Sequence, residues 1–127
     1  MNYQKRMEGV KAYYPFAGWR EKYYGDADDV GGVEQYCPEN CERAEAIADT
    51  LIAELVAAGQ EAGESEKLAC VENGVAAFNE LAEELKGLIE WEEQEDLCEL
   101  FDRISRAAGL TPQDYGTGSI ADQWRTW

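Results

Sequence analysis

An acidic segment near the C-terminus constrains the fold of this chain more than any other stretch of its sequence. With about 100° per residue and Trp91 at zero, five carboxylates fall within an arc of roughly 120°. These five residues, which we name the acidic stripe, are Glu92, Glu95, Asp96, Glu99 and Asp102. Apolar side chains occupy the opposite side: Leu97, Leu100, Phe101, Ile104 and Ala108. This division predicts an amphipathic helix from about residue 88 to Ala108, with Gly109 as its C-terminal cap.

Two further long helices are predicted before this one. The first occupies residues 37–59, because Pro38 is preorganised for the first helical position and a glycine ends the pattern. The second follows Ser65, a good N-cap residue, and ends near residues 86–87, although Gly74 inside it lowers its helix propensity. Its predicted buried stripe is formed by Leu68, Val71, Val75, Phe78, Ala82 and Leu85. The sequence has no strand-like alternation and no internal repeat, so the predicted fold class is all-α.

Shorter helical pieces are predicted at both ends of the chain. Residues 1–36 are rich in aromatic side chains and should form one or two short helices broken at Tyr14-Pro15, because proline disfavours a helical residue before it. Residues 25–32 are predicted to be a loop, and Thr111 and Ser119 are predicted to cap short turns near the C-terminus. We therefore expect a single domain, a compact bundle of three longer helices. In it the N-terminal segment packs on an acidic helical core formed by residues 37–127.

The charge of the chain limits the partners that it can bind. Its net charge is −16, because 27 acidic residues stand against 11 basic ones. Residues 61–102 alone hold fourteen acids and two lysines, whereas residues 1–24 hold five basic residues and two acids. Such a field repels nucleic acids and anionic membranes and attracts basic protein surfaces. With no apolar run near 20 residues and no signal-peptide core, we expect a cytoplasmic protein that binds neither membranes nor nucleic acid directly.

The residue types disfavour catalysis. The chain has no histidine, and no glycine-rich phosphate loop follows a strand, so we expect neither an enzyme nor a cofactor or metal site. One alternative is a thiol or metal protein that uses Cys37 and Cys41, which lie one turn apart at a helix start where the dipole can lower a thiol pKa. Another alternative is a structural protein whose acidic face only keeps it soluble.

The acidic stripe carries the functional prediction. Like charges three or four residues apart destabilise a helix by ~0.2–0.5 kcal/mol each, so the stripe carries a stability cost. We predict that the five acids of the stripe contact a basic surface, with Trp91 as an aromatic anchor or, alternatively, as a residue packed on the preceding turn. Three acids of the second helix, Glu80, Glu83 and Glu84, are predicted to extend the same anionic surface.

Carboxylates on successive helical turns lie about 5–6 Å apart, which resembles the spacing of phosphates along a nucleic-acid strand. The predicted partner is therefore a nuclease, a toxin or another nucleic-acid-binding effector. The protein would then act as a non-catalytic inhibitor: a nucleic-acid mimic of the anti-CRISPR or anti-restriction kind, or a toxin immunity protein. The sequence leaves its oligomeric state open.

Residues 36–127 also resemble a protein family. The similarity lies in Tyr36-Cys37-Pro38, in AAFNELAEEL (76–85), in IEWEEQEDLCELFDRISRAAGL (89–110) and in a short tail that ends in tryptophan. These segments resemble a family of small, acidic, helical bacterial proteins known only as a domain of unknown function. The histidine expected near the start of residues 76–85 is missing here. The resemblance implies an all-helical fold and implies no activity.

Overall fold

A computed structural model describes residues 2–24 and 34–127, and the loop predicted at residues 25–32 lies outside these ranges. Within them the chain forms five α-helices and no strand, which confirms the predicted all-α class. The helices are α1 (Tyr3–Gly9), α2 (Phe16–Tyr24), α3 (Pro38–Ala58), α4 (Glu64–Glu84) and α5 (Trp91–Ala108). Short 3₁₀ turns occupy Val10–Tyr13, Glu34–Tyr36, Pro112–Tyr115 and Ile120–Gln123. The last two turns follow Thr111 and Ser119, as predicted.

The N-terminal helices bury Tyr3, Phe16 and Trp19 in the same core as the long helices. Asn2 caps α1 by accepting a 2.8 Å hydrogen bond from the Lys5 N–H, and the chain breaks where predicted, with Tyr14 extended before Pro15. Phe16 and Trp19 are fully buried, and their rings meet edge to face with centroids 5.2 Å apart. Both side chains belong to the common hydrophobic core, and their burial there attaches α2 to the bundle.

Three helix boundaries differ from the prediction. Helix α4 begins at Glu64 with Gly63 as its N-cap, so Ser65 lies inside the first turn and the predicted serine cap is wrong. The reason is local: the Ala62 N–H bonds to the Gly59 carbonyl oxygen at 3.1 Å, and this turn leads the chain into the helix early. Helix α4 ends at Glu84, and α5 begins at Trp91 rather than near 88. Gly87 between them has a positive φ of 92°, which breaks the helical path, and Leu88 after it is fully buried in the core.

Helices α3 and α4 form a closely packed pair. Gly74 is buried where they meet, and a Cβ placed on it would lie 3.1 Å from Leu51 Cδ2 and 3.3 Å from Phe101 Cε1. The glycine that weakens the helix pattern in the sequence is therefore the residue that lets three helices approach one another. The Phe101 ring then stacks edge to face on Phe78, with centroids 5.8 Å apart.

A buried lysine joins the C-terminal end of α5 to the loop between α3 and α4. Lys67 is 6% exposed, and its Nζ donates hydrogen bonds to the carbonyl oxygens of Gln60 at 2.8 Å and Ala108 at 2.7 Å. A cation at this position also interacts favourably with the negative end of the α5 dipole. In the described part of the chain, no helix has both the length and the apolar character needed to cross a bilayer.

Candidate partner-binding surface

Helix α5 is held at both ends by its own sequence. At its start, Glu90 and Glu93 form a capping box, in which the Glu93 carboxylate accepts from the Glu90 N–H at 3.2 Å. At its end, Gly109 takes a left-handed conformation with φ of 96°. The apolar side is buried against the other helices: Leu97, Leu100, Phe101, Ile104 and Ala108. The opposite side, which carries the acidic stripe, therefore points away from the core.

The structure divides the acidic stripe into two groups. Glu92, Glu95 and Glu99, which we name the exposed glutamates, lie open to solvent. Asp96 and Asp102 are half-buried, and each accepts hydrogen bonds from another part of the chain. The expectation that all five acids form one exposed stripe opposite the apolar side is wrong for these two aspartates.

Both aspartates link α5 to neighbouring segments. Asp96 Oδ2 accepts a 3.0 Å hydrogen bond from the indole Nε1 of the buried Trp19 on α2. Asp102 Oδ1 accepts from the Ile120 N–H at 2.8 Å and from the Ser119 hydroxyl at 3.1 Å. Because short aspartate side chains end close to the helix, they reach groups packed directly beside it, whereas glutamates extend into solvent. The two groups therefore differ in burial: the aspartates are half-buried against the groups that donate to them, and the glutamates are exposed.

A charged network lies beside the start of α5. Lys22 Nζ on α2 contacts the Glu93 carboxylate at 2.7 Å and the Glu92 carboxylate at 2.9 Å, and it lies 5.1 Å from the centre of the Tyr36 ring. Glu93 is 1% exposed. Burial alone raises its pKa, but hydrogen bonds from Lys22, Tyr36 and the Glu90 N–H together lower the pKa of this carboxyl below its ordinary value. The Glu93 carboxylate therefore stabilises the fold from a buried position, while the Glu92 side chain remains exposed.

Lys22 was not among the predicted site residues. Its pKa is raised, because the hydrogen bonds to Glu93 and Glu92 outweigh the effect of burial. One signal in the sequence could have indicated this contact: residues 1–24 are basic and residues 61–102 are acidic, so the two segments attract each other.

Glu99 borders a second aromatic side chain. It pairs with Arg103 one turn later at 3.1 Å, and the Arg103 guanidinium stacks over the Tyr13 ring at 3.9 Å from its centroid. Tyr13 is 58% exposed, so this stack lies at the surface. Planar stacking holds the guanidinium in place beside the carboxylate. A small surface depression of about 150 Å³ lies here, lined in part by Pro15, Asp96 and Leu100.

Trp91 lies at the start of the acidic stripe and is 72% exposed. A residue packed on the preceding turn would be largely covered, so the structure favours the anchor hypothesis over that alternative. Trp91 and Tyr13 are the two large hydrophobic side chains exposed in the described part of the chain. Both border helix α5, and the exposed glutamates lie along the same outward face.

Two of the three acids predicted on the second helix lie beside α3. Glu84 pairs with Arg43 of α3 at 2.6 Å, and both Glu80 and Glu84 border a groove between α3 and α4. Glu83 is exposed on the same helix. Glu80 and Glu84 therefore adjoin α3, because the rotation of α4 about its axis directs this side toward α3 rather than toward α5.

Three of the four cysteines, Cys41, Cys70 and Cys98, do not show the features of activated thiols. Cys41 is fully buried and its Sγ donates to the Tyr36 carbonyl oxygen at 3.3 Å. Burial raises the pKa of the Cys41 thiol, which is opposite to the lowered pKa that the thiol alternative requires. Burial likewise raises the pKa of the Cys70 and Cys98 thiols, which are half-buried at the core edges. Among residues 2–24 and 34–127, no three or more Cys, Asp or Glu side chains are grouped so that they could hold a metal ion.

Comparisons with known proteins add no relative. No protein-family model matches the chain, and neither a curated protein nor a solved structure matches it. The resemblance of residues 36–127 to a family of unknown function therefore stays a prediction, and the candidate surface rests on the physical features of this chain.

Proposed function

We propose that this protein is a non-catalytic binding protein that masks a basic protein surface with the outer face of α5. One observation carries the proposal: the exposed glutamates Glu92, Glu95 and Glu99 occupy successive turns of one helix face, next to the exposed Trp91. Carboxylates at this spacing, about 5–6 Å, present charge to a basic site much as phosphates of a nucleic-acid strand do. A fixed aromatic side chain beside them adds apolar contact area.

The surroundings of α5 support this role by holding the helix in place. Asp96 bonds to the buried Trp19, and Glu93 lies in the buried network with Lys22. A surface whose charges are already ordered loses less conformational entropy when a partner binds. The aspartates and Glu93 would therefore orient the surface, and the exposed glutamates would make the contacts.

The exposed glutamates can still form ion pairs with basic residues of a partner. Glu92 and Glu99 have side chains that are 75% and 66% exposed, although each pairs with one basic residue of the chain. Glu95 lies between them and has no ion pair within the described ranges. Surface ion pairs of this kind are worth about 0–1 kcal/mol, so arginine or lysine side chains of a partner can replace them.

The class of partner follows from the charge. A protein of net charge −16 should associate quickly with a basic surface, and the association should weaken with salt. The proposed partner is a nuclease, a toxin or another nucleic-acid-binding effector, and the protein would be a nucleic-acid mimic such as an anti-CRISPR or anti-restriction protein, or a toxin immunity protein. Within residues 2–24 and 34–127, no contact of Cys37 or Cys41 favours the thiol alternative.

The test is affinity capture from host lysate with the wild-type protein and two triple variants. The first changes Glu92, Glu95 and Glu99 to Gln, and the second changes Glu42, Glu61 and Glu66, which are exposed elsewhere. Both variants lose the same charge, so they separate the local pattern from the net charge. We expect a basic protein to be captured by the wild type and the control, and to be lost with the first variant.

The captured protein is then assayed for nucleic-acid binding. Under the proposal, added wild-type protein displaces nucleic acid from it, and the Glu92/Glu95/Glu99 variant does not. A partner retained equally by all three proteins at high salt would contradict the proposal and leave the acidic face a solubilising one.

A further inference from the structure

A groove runs between α3 and α4, and no residue of α5 lines it. It consists of two adjoining depressions of about 330 and 360 Å³. Both are lined by Ala46 and Ile47 of α3 and by Ala77 of α4, so they form one continuous surface. None of the exposed glutamates lines it. The groove is thus a second candidate surface, separate from the outer face of α5.

Small or apolar residues form most of the centre of the groove, and Thr50 and Asn73 are its uncharged polar residues. Thr50 and Gly74 line one depression, and Leu81 lines the other. On α3 the lining runs from residue 43 to residue 54, which is about 16 Å at 1.5 Å per residue. Small side chains at a helix–helix contact allow the axes to approach to about 8 Å. A helix of about three turns therefore fits the length and shape of this surface.

Charged side chains border the groove at both ends. Glu54 lies at one end, and Glu80 and Glu84 lie at the other. The Arg43 guanidinium is already paired with Glu84 at 2.6 Å. Glu54 and Glu80 have no ion pair within the described ranges. The groove thus combines an apolar centre with an acidic rim.

An apolar centre with an acidic rim favours one class of molecule in the groove. A second copy of the chain would bring two acidic rims together at a net charge of −16 each, which is repulsive. An uncharged helix would cover Glu54 and Glu80 without pairing them, and an unpaired covered carboxylate is strongly unfavourable. We propose that the groove binds an amphipathic α-helix of a partner protein, whose apolar stripe packs on Ile47 and Ala77. Lysine or arginine residues beside that stripe then pair with Glu54 and Glu80.

This inference shares with the proposed function only the basic character of the partner, because it concerns a different face. The probe is a synthetic amphipathic helix of about 18 leucine and lysine residues, titrated into ¹⁵N-labelled protein and followed by NMR and fluorescence anisotropy. We expect amide shifts concentrated in residues 43–54 and 73–84.

Two tryptophan variants form the matched test. Ala77→Trp fills the floor of the groove, whereas Ala76→Trp places the same side chain about 100° around the helix, at an exposed position. We expect the peptide affinity to fall at least about tenfold with the first and to stay within about twofold with the second. Ala46→Trp, at an exposed position of the groove, should also weaken peptide binding. This variant replaces Ala77→Trp in the test if Ala77→Trp does not fold.

A third variant separates this inference from the proposed function. The Glu92/Glu95/Glu99 triple Gln variant should bind the peptide as tightly as the wild type, because those residues lie on the other face. If that variant loses the peptide, or if Ala77→Trp and Ala46→Trp both bind as the wild type does, the groove is not the docking site. The proposed role of α5 would survive that result.

Discussion

The indole Nε1 of Trp19 donates a 3.0 Å hydrogen bond to Asp96, so a core residue of α2 determines the role of an acid on the outer face of α5. Trp19 is 1% exposed, and its indole N–H requires an acceptor in the folded state. Asp96 thus contributes to stability, whereas its neighbour Glu95 is free to contact a partner. Substitutions at these adjacent residues should separate the two roles.

Asp96→Ala should destabilise the protein by about 1–3 kcal/mol, because it leaves the buried Trp19 N–H without its acceptor. Glu95→Ala should change the free energy of unfolding by no more than about 0.5 kcal/mol. Urea denaturation followed by tryptophan fluorescence measures both values. Equal destabilisation by the two substitutions would show that the hydrogen bond has no stabilising role.

Asp102→Ala should remove the acceptor that caps the turn at Ile120–Gln123, at a cost of about 0.5–2 kcal/mol. Because the bond joins α5 to the C-terminal turn, the loss should also speed amide hydrogen exchange at Ile120. Glu99→Ala, one turn earlier on the same face, is the control and should leave that exchange rate unchanged.

Glu93→Gln should destabilise the protein by about 1–3 kcal/mol at neutral pH, since it weakens the charged hydrogen bonds with Lys22 and Tyr36. The folded-state pKa of Glu93 lies below its ordinary value of 4.5. Its charge therefore stabilises the protein above that value, and this stabilisation is lost as the pH falls through the lowered pKa. The free energy of unfolding should decrease more steeply with acid in the wild type than in the variant, and parallel acid curves would contradict the assignment.

Gly74→Ala should destabilise the protein by roughly 1 kcal/mol, although alanine favours a helix. Its Cβ would press on Leu51 and Phe101 at 3.1 and 3.3 Å, and both neighbours are buried, so the overpacking penalty should exceed the gain in propensity. Gly18→Ala on α2 is the matched control, because no atom lies within 4 Å of its Cβ position. Thermal denaturation of the Gly18→Ala variant should show a stabilisation of about 0.5–1 kcal/mol.

Cys41 should react slowly with iodoacetamide in the native protein, because the thiol is buried and its pKa is raised. Peptide mass spectrometry after timed alkylation should find the modification of Cys41 only after unfolding. Rapid labelling of Cys41 under native conditions would instead support the thiol alternative.

The sequence by itself determined where helices form, because that information is local. Pro15 ends a helix because its ring disfavours a helical residue before it. Gly109 ends another helix because it adopts a left-handed φ. The spacing of apolar residues along residues 91–108 determines which side of that helix is buried. The net charge of −16 likewise follows from the sequence alone. The predicted cap at Ser65 was wrong, because neighbouring cap positions differ in free energy by only a small amount and the preceding turn decides between them.

Only the tertiary structure decided which acids of the stripe remain available to a partner. Asp96 bonds to a residue 77 positions earlier, and Asp102 bonds to a turn 18 positions later. Glu80 and Glu84 border α3, although periodicity along α4 is equally compatible with their facing α5. Periodicity fixes the angle of a side chain about its own helix, but it contains no information on how that helix is rotated and packed against the others. The segments that pack beside a carboxylate therefore decide whether it becomes a structural hydrogen-bond acceptor or stays a surface charge.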